Sequence, residues 1–261
     1  MLGICVHTIS TDVNCLLQVR GLTKRFGGVV AVNDVTLNIR ERGVHGIIGP
    51  NGAGKTTLFN MLTKFLRPTT GSIVFDGRDI TALSAVSVAR LGIVRSFQIS
   101  AVFPNLTVAE NVEVALQRQS GLATQFWRSR KVLESLRERT RELLRTVNME
   151  DMAIAPAKSL SYGRKRALEI ATTLALEPKL LLLDEPMAGL GHEDIPAISS
   201  LIRSLSETRS IVMIEHNLSV VSRICDVISV MSRGEVIAEG AYLDVSQNPA
   251  VRTAYIGGAD D

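Results

Sequence analysis

Apolar residues along this chain follow two rhythms. From Val29 to Ile39 they alternate with polar ones (Val30, Val32, Val35, Leu37, Ile39), the period of a strand with one buried face. Leu16 to Val19 is a shorter candidate strand before it, and Gly27-Gly28 reads as the turn that leads into the alternating run. Val44 to Ile48, Leu180 to Leu183 and Ile211 to Ile214 are instead short, almost unbroken apolar runs, as in parallel strands covered on both faces. Gly71 to Gly77 predicts a strand closing in an Asp-Gly turn, and Gly92 to Gln98 predicts one that ends on a glutamine. Val227 to Met231 and Glu235 to Ala238 predict a hairpin about Arg233-Gly234.

Between these runs the spacing becomes helical. Helices are predicted over Thr56 to Leu66, Ala82 to Arg90 and Lys165 to Leu176, the last ended by Pro178. Val102 to Leu106 is a loop. From Thr107 to Met149 no strand rhythm occurs: Thr107 has Glu110 three residues on, the spacing of a capping box, and Gly121 separates two helices. Leu133, Leu136, Leu143, Leu144 and Val147 form the packing stripe of the second helix. The expected fold is α/β, with a mostly parallel sheet, an N-terminal antiparallel β layer, and a helical lobe over about 99–165 inserted in the core.

The 261 residues can hold one large α/β domain, expected over 16–261. Met1 to Cys15 lacks the basic lead and long apolar core of a signal peptide and reads as a flexible extension. Cys5, Cys15 and Cys225 are isolated, which argues against a zinc knuckle or disulfide framework and for a reducing setting. A net charge of +3 spread along the chain makes no case for nucleic acid. The basic residues between Arg128 and Arg145 interleave with Glu134, Glu138 and Glu142, as on a solvated helix face. No apolar run reaches the roughly 18 residues of a membrane span, so any association with a membrane would come through a partner.

The chemistry centres on Gly49-Pro50-Asn51-Gly52-Ala53-Gly54-Lys55-Thr56, a phosphate-binding loop between a predicted strand and a predicted helix. Glycines let backbone N–H groups curl around an anion, and the helix dipole adds to the attraction. Lys55 would reach the β- and γ-phosphates of a nucleotide and the Thr56 hydroxyl would ligate Mg2+. Other predicted strands end in polar groups at Gln98, Asp184-Glu185 and His216, and ligands of open α/β sheets sit at carboxyl ends of strands. Asp184 suits a water-mediated contact to the metal and Glu185 a general base on the attacking water. His216 suits a hydrogen bond to the γ-phosphate, and Gln98 a contact to metal or water. Singly, an Asp-Glu pair is often solvated and a lone His structural; it is their order along the chain that points to a nucleotide site. Phe26, before the Gly-Gly turn, suits either core packing or stacking on a base.

With Leu160-Ser161-Tyr162-Gly163-Arg164 added, similar to a Leu-Ser-Gly-Gly-Gln signature, the chain resembles the ATP-binding-cassette (ABC) ATPases from about Leu16 to Gly257. The resemblance implies ATP and Mg2+ as ligands. Phe26 would stack on adenine, Val32 would be a further nucleotide contact, and Asn51, Gly52, Ala53, Gly54, Lys55, Thr56 and Thr57 would hold the phosphates. It also implies a head-to-tail dimer, in which Ser161 and Gly163 meet the γ-phosphate of ATP on the second subunit. The expected partners are that second ATPase subunit and integral membrane permeases, with an external solute-binding protein engaged indirectly. The chain would then sit peripherally on the cytoplasmic face of the membrane, without nucleic acid.

Leu22 to Gly28, Phe103 to Asn111, Ala188-Gly189-Leu190, Ile214 to Asn217 and Ala254 to Gly257 look like the ATPase subunits of branched-chain (hydrophobic) amino-acid importers, a pattern shared in part by urea and amide importers. Soluble cassette proteins acting on nucleic acid or ribosomes usually carry two cassettes or long coiled-coil insertions, and a regulator without turnover would have a damaged catalytic set. Neither pattern is present. Two departures stand out. Arg164 replaces the usual signature Gln, and Gly191 replaces an Asp or Asn in the loop after Glu185.

Overall fold

The computed structural model describes residues 15–96, 102–119 and 130–256. Strands β1 (Cys15–Phe26), β2 (Val29–Arg40), β4 (Thr70–Phe75) and β5 (Arg78–Asp79) form an antiparallel sheet in the order β2-β1-β4-β5. The first strand is longer than Leu16 to Val19, continues to the Gly-Gly turn, and takes in Cys15, which pairs with Arg40. In β2 the inward apolar residues switch from even to odd numbers between Val32 and Val35. There the pairing register slips and Asp34 takes φ 50, a bulge that keeps both halves of the strand facing the core.

The second sheet has the order β10-β9-β3-β8-β7-β6, built from β3 (Gly43–Ile48), β6 (Ile93–Arg95), β7 (Leu180–Asp184), β8 (Ser210–Ile214), β9 (Val227–Ser232) and β10 (Glu235–Gly240). All but β10 run parallel. The β9–β10 turn has positive φ at both Arg233 and Gly234, as a two-residue hairpin of this twist requires.

Strand alternation explains the unbroken leucines of β7. Leu181 and Leu183 enter one core, with the helices α5 (Tyr162–Leu174), α6 (Ile195–Ser206) and α7 (Leu218–Ile224). Leu180 and Leu182 enter a second core between the two sheets, shared with α1 (Lys55–Leu62). Between β6 and β7, α3 (Val108–Gln119) and α4 (Arg130–Thr146) pack on α5 through Val108, Val112, Leu143, Leu144 and Val147. The Thr107–Glu110 capping box forms in both directions, at 2.7 and 3.2 Å. Short helices α2 (Ala85–Leu91), α8 (Tyr242–Gln247) and α9 (Pro249–Ile256) complete the described chain.

Two helix starts differ from expectation because a serine caps each. Ser84 caps α2, which starts at Ala85, three residues after Ala82, and Ser161 caps α5, which starts at Tyr162, three residues before Lys165. Gln98, Gly121 and the side chain of Leu133 lie outside what is described.

Candidate nucleotide site

The parallel order β3-β8-β7-β6 brings four strand ends to one edge. They deliver the loop after β3, Glu215-His216 after β8, Asp184-Glu185 at the end of β7, and Arg95-Ser96 at the end of β6. The loop from Gly49 to Gly54 is closely backed. A Cβ on Gly49 would lie 2.1 Å from the Met231 carbonyl oxygen, and one on Gly54, at φ 98, 2.4 Å from that of Ala31. Only glycine fits either place.

Ala53 N–H donates to the Pro50 carbonyl at 3.2 Å, and Gly234 N–H donates to the Ala53 carbonyl at 3.0 Å, pinning the loop to the β9–β10 turn. Lys55 is buried, and its ammonium donates to the Gly49 and Pro50 carbonyls at 2.7 and 2.9 Å. Burial pushes its pKa down, while the fields of Glu185 and Asp184 pull it back up. The ammonium is thus held under the arch of the loop, where a phosphate can supply oxygen partners in place of those carbonyls. Asn51, Gly52 and Thr56 are exposed, Thr57 is half-buried, and Ala53 packs into the core with its side chain.

The Val32 side chain is fully buried and packs behind Gly54, so it supports the loop from beneath. Phe26, by contrast, is 46% exposed at the end of β1, with the Lys24 ammonium 5.1 Å from its ring centre.

Opposite the loop, Asp184 is buried and forms an ion pair with Arg95. Glu185 takes φ 45, a left-handed conformation that is uncommon for a residue of its kind and concentrates at functional sites. Its N–H donates to the Ile214 carbonyl at 3.0 Å. Three residues unassigned from sequence hold this region together. Arg166 of α5 donates to the carbonyls of Pro186, Asp184 and Glu185 at 3.1 to 3.3 Å. Glu215 accepts from Met187 N–H at 2.9 Å and from His216 N–H at 3.1 Å, tying the two strand-end loops together. Arg95 is the third. Glu215 had a signal, as a carboxylate beside His216 at the end of an apolar strand; the two arginines act across the fold and had none.

Ser161 caps α5, its hydroxyl accepting from Arg164 N–H at 3.4 Å, and remains exposed. Gly163 follows in the first helical turn, where backbone amides have no partner four residues back. A Cβ there would lie 2.3 to 2.5 Å from the Asp194 carboxylate. The departures have a structural setting too. Arg164 is exposed with its guanidinium against the Met152 sulfur, and the Glu193 carboxylate folds over Gly191, 2.6 Å from where a Cβ would be.

The donors suit magnesium nucleotide. The Thr56 hydroxyl and the Asp184 carboxylate are hard oxygen donors of the kind Mg2+ takes. Among the described residues no group of three or more His, Cys, Asp or Glu could hold a metal. A separate cavity of about 490 Å³, lined by Arg42, Asp76, Glu177 and Lys179 among others, shares no residue with this constellation.

A family model described as "ABC transporter" matches residues 32–188, spanning the phosphate loop, the signature and Asp184-Glu185. The chain belongs to the ABC transporter ATPase family. A second model, "Branched-chain amino acid ATP-binding cassette transporter", matches 235–261 of this cassette. The high-affinity branched-chain amino acid transport ATP-binding protein BraF of Pseudomonas aeruginosa is 40% identical, covering 94% of this chain and 98% of that protein. LivG of Escherichia coli, similarly described, is 38% identical with the same coverage. The ADP form of an ABC-transporter cassette superposes with TM-score 0.81 at 28% identity, covering 93% of this chain and 99% of that one. A dimeric bacterial cassette superposes with TM-score 0.72 at 27% identity, covering 87% and 98%. The cassette is therefore an ATP-hydrolysing transporter subunit, and no described helix is long and apolar enough to cross a membrane.

Proposed function

We propose that this cassette powers uptake of branched-chain or other hydrophobic amino acids through membrane permease partners. The match of its C-terminal segment, residues 235–261, to a branched-chain amino-acid cassette model carries the reading. That segment lies outside the part common to ABC transporters in general.

In the proposed cycle Lys55 and the amides of Asn51 to Thr57 hold the phosphates, Phe26 stacks on adenine, and Thr56 and Asp184 would hold Mg2+. The ion supplies charge neutralisation for the transferred phosphoryl group. Glu185 accepts a proton from the attacking water, while His216 and Gln98 orient the γ-phosphate and that water. Ser161 and Gly163 complete the ATP site of a second cassette, so closure of a head-to-tail dimer is what nucleotide binding drives. The helical lobe over about 99–165 receives a permease helix. The domain is 16–261, and the chain works at the cytoplasmic face of the membrane, reached only through its permeases.

Vesicles carrying the cassette with branched-chain permease subunits, supplied with the matching solute-binding protein, are expected to take up labelled leucine only with ATP. Lys55→Ala should abolish that uptake. Uptake of urea or an amide with none of leucine, isoleucine or valine would overturn the substrate reading and leave the ATPase assignment intact.

A further inference from the structure

Arg95 is an arginine inside the fold where a strand residue of this sheet is ordinarily apolar. It is the last residue of β6, and its side chain is 12% exposed, against 2% for its partner Asp184. One guanidinium nitrogen pairs with Asp184 Oδ2. The other donates to Asn60 Oδ1 at 2.6 Å, and the guanidinium lies 5.8 Å from the Phe59 ring centre. Phe59 and Asn60 belong to α1, the helix that begins with Lys55 and Thr56. A single side chain therefore cross-ties the helix bearing the hydroxyl ligand of the metal to the strand bearing its carboxylate. Planar, two-pronged geometry is what lets arginine do this; a lysine would offer a point charge without the fork.

We infer that Arg95 is a positioning residue that neutralises and orients Asp184 in the metal-free cassette, and thereby sets how much Mg2+ strengthens nucleotide binding. The inference rests on the reading of Asp184 as the acidic group facing the metal. A buried carboxylate without a partner is costly, so Arg95 supplies the positive charge the site lacks before Mg2+ arrives. The consequence is a weaker pull on the incoming cation, since Asp184 is already compensated and Lys55 also bears on it through space. Without Arg95 the uncompensated carboxylate gains more from the divalent ion, and binding becomes more dependent on it. The same cross-tie keeps β6, which runs directly into the segment containing Gln98, in register with the metal-facing strand: Ser96 N–H donates to the Leu182 carbonyl at 2.9 Å.

The test is equilibrium binding of a fluorescent ATP analogue to the full chain in excess Mg2+ and in EDTA, read as the ratio of the two affinities. Arg95→Met is expected to raise that ratio at least about fivefold, because a buried charge has lost its counter-ion. Arg95→Lys should return it to within about twofold of wild type, because the charge is kept. A purely structural role would lower the melting temperature and leave the ratio alone. A ratio unchanged or lowered in Arg95→Met, or equally raised in Arg95→Lys, overturns the inference. If Arg95→Met does not fold, Arg95→Gln, which keeps a hydrogen-bonding head without the charge, carries the test: a rise supports the inference and an unchanged ratio overturns it. Asp184→Asn separates the two levels. A ratio that it leaves intact removes Asp184 from the metal site; a ratio that it collapses while Arg95→Met changes nothing removes Arg95 alone.

Discussion

His45 sits within β3, the strand that delivers the phosphate loop, and is almost fully buried. Its Nε2 lies 2.7 Å from the Ser229 hydroxyl, which in turn donates to Glu239 Oε2 at 2.7 Å. The serine has one proton and gives it to the carboxylate, so the imidazole donates from Nε2. Burial, with a smaller contribution from Arg40, pushes its pKa down from 6.5 to about 4. Between those values the unfolded chain binds a proton that the native fold refuses. This contribution is complete above the unfolded pKa and is lost as pH falls towards the folded one, by about 3 kcal/mol in full. Urea midpoints measured from pH 7 to 4 should fall accordingly, and His45→Gln should flatten that part of the slope. An equal slope in the variant would remove His45 as its source.

At the scale of elements, the end of α1 shows a local conflict that a substitution can relieve. Thr63 caps the helix, and Lys64 follows in the left-handed conformation at φ 61, a place that glycine fills at least cost. Its ammonium is buried with no hydrogen-bond partner in the structure, and burial pushes its pKa down to about 8 despite the field of Asp79. Lys64→Gly removes both penalties, at the expense of some apolar stem packing and chain entropy. A net gain of about 1 kcal/mol is expected, read as a rise of roughly 2–4 °C in melting temperature. A fall would mean that the lysine stem contributes more through packing than its charge costs. The conflict lies on the far end of the helix from Lys55, so ATP affinity should stay as it is.

At the scale of the molecule, α5 joins two functions. Its N-terminus carries exposed Ser161 and buried Gly163, the residues proposed to meet a second cassette, and one turn on, Arg166 grips the carbonyls around Glu185. On the proposed roles, closure at the signature and alignment of Glu185 are mechanically linked through one helix. Glu185→Gln keeps the shape of the site and removes the proposed proton acceptor. ATP hydrolysis should fall at least about a hundredfold. With ATP bound and turnover stopped, the variant should elute as a dimer in gel filtration where the wild type elutes as a monomer. Turnover at the wild-type rate would take Glu185 out of the role of base, and a monomer in saturating ATP would count against the head-to-tail site.

The sequence by itself determined the α/β class, the strand–loop–helix that makes the phosphate loop, and membership among the ABC ATPases. These rest on local periodicity and contiguous motifs, which a chain carries wherever it folds. Val32 shows the limit. Its apolar identity leaves open where it packs, and only the closing of β2 over Gly54 put its side chain in the core. The phase change in β2 was likewise written in the residues, yet it became a bulge only through pairing with β1. Arg95 and Asp184 stand 89 residues apart, and Arg166 reaches Glu185 across 19. Each of those contacts depends on which strands become neighbours in the sheet, a choice made by burial of two whole cores at once and therefore invisible in any one stretch of sequence.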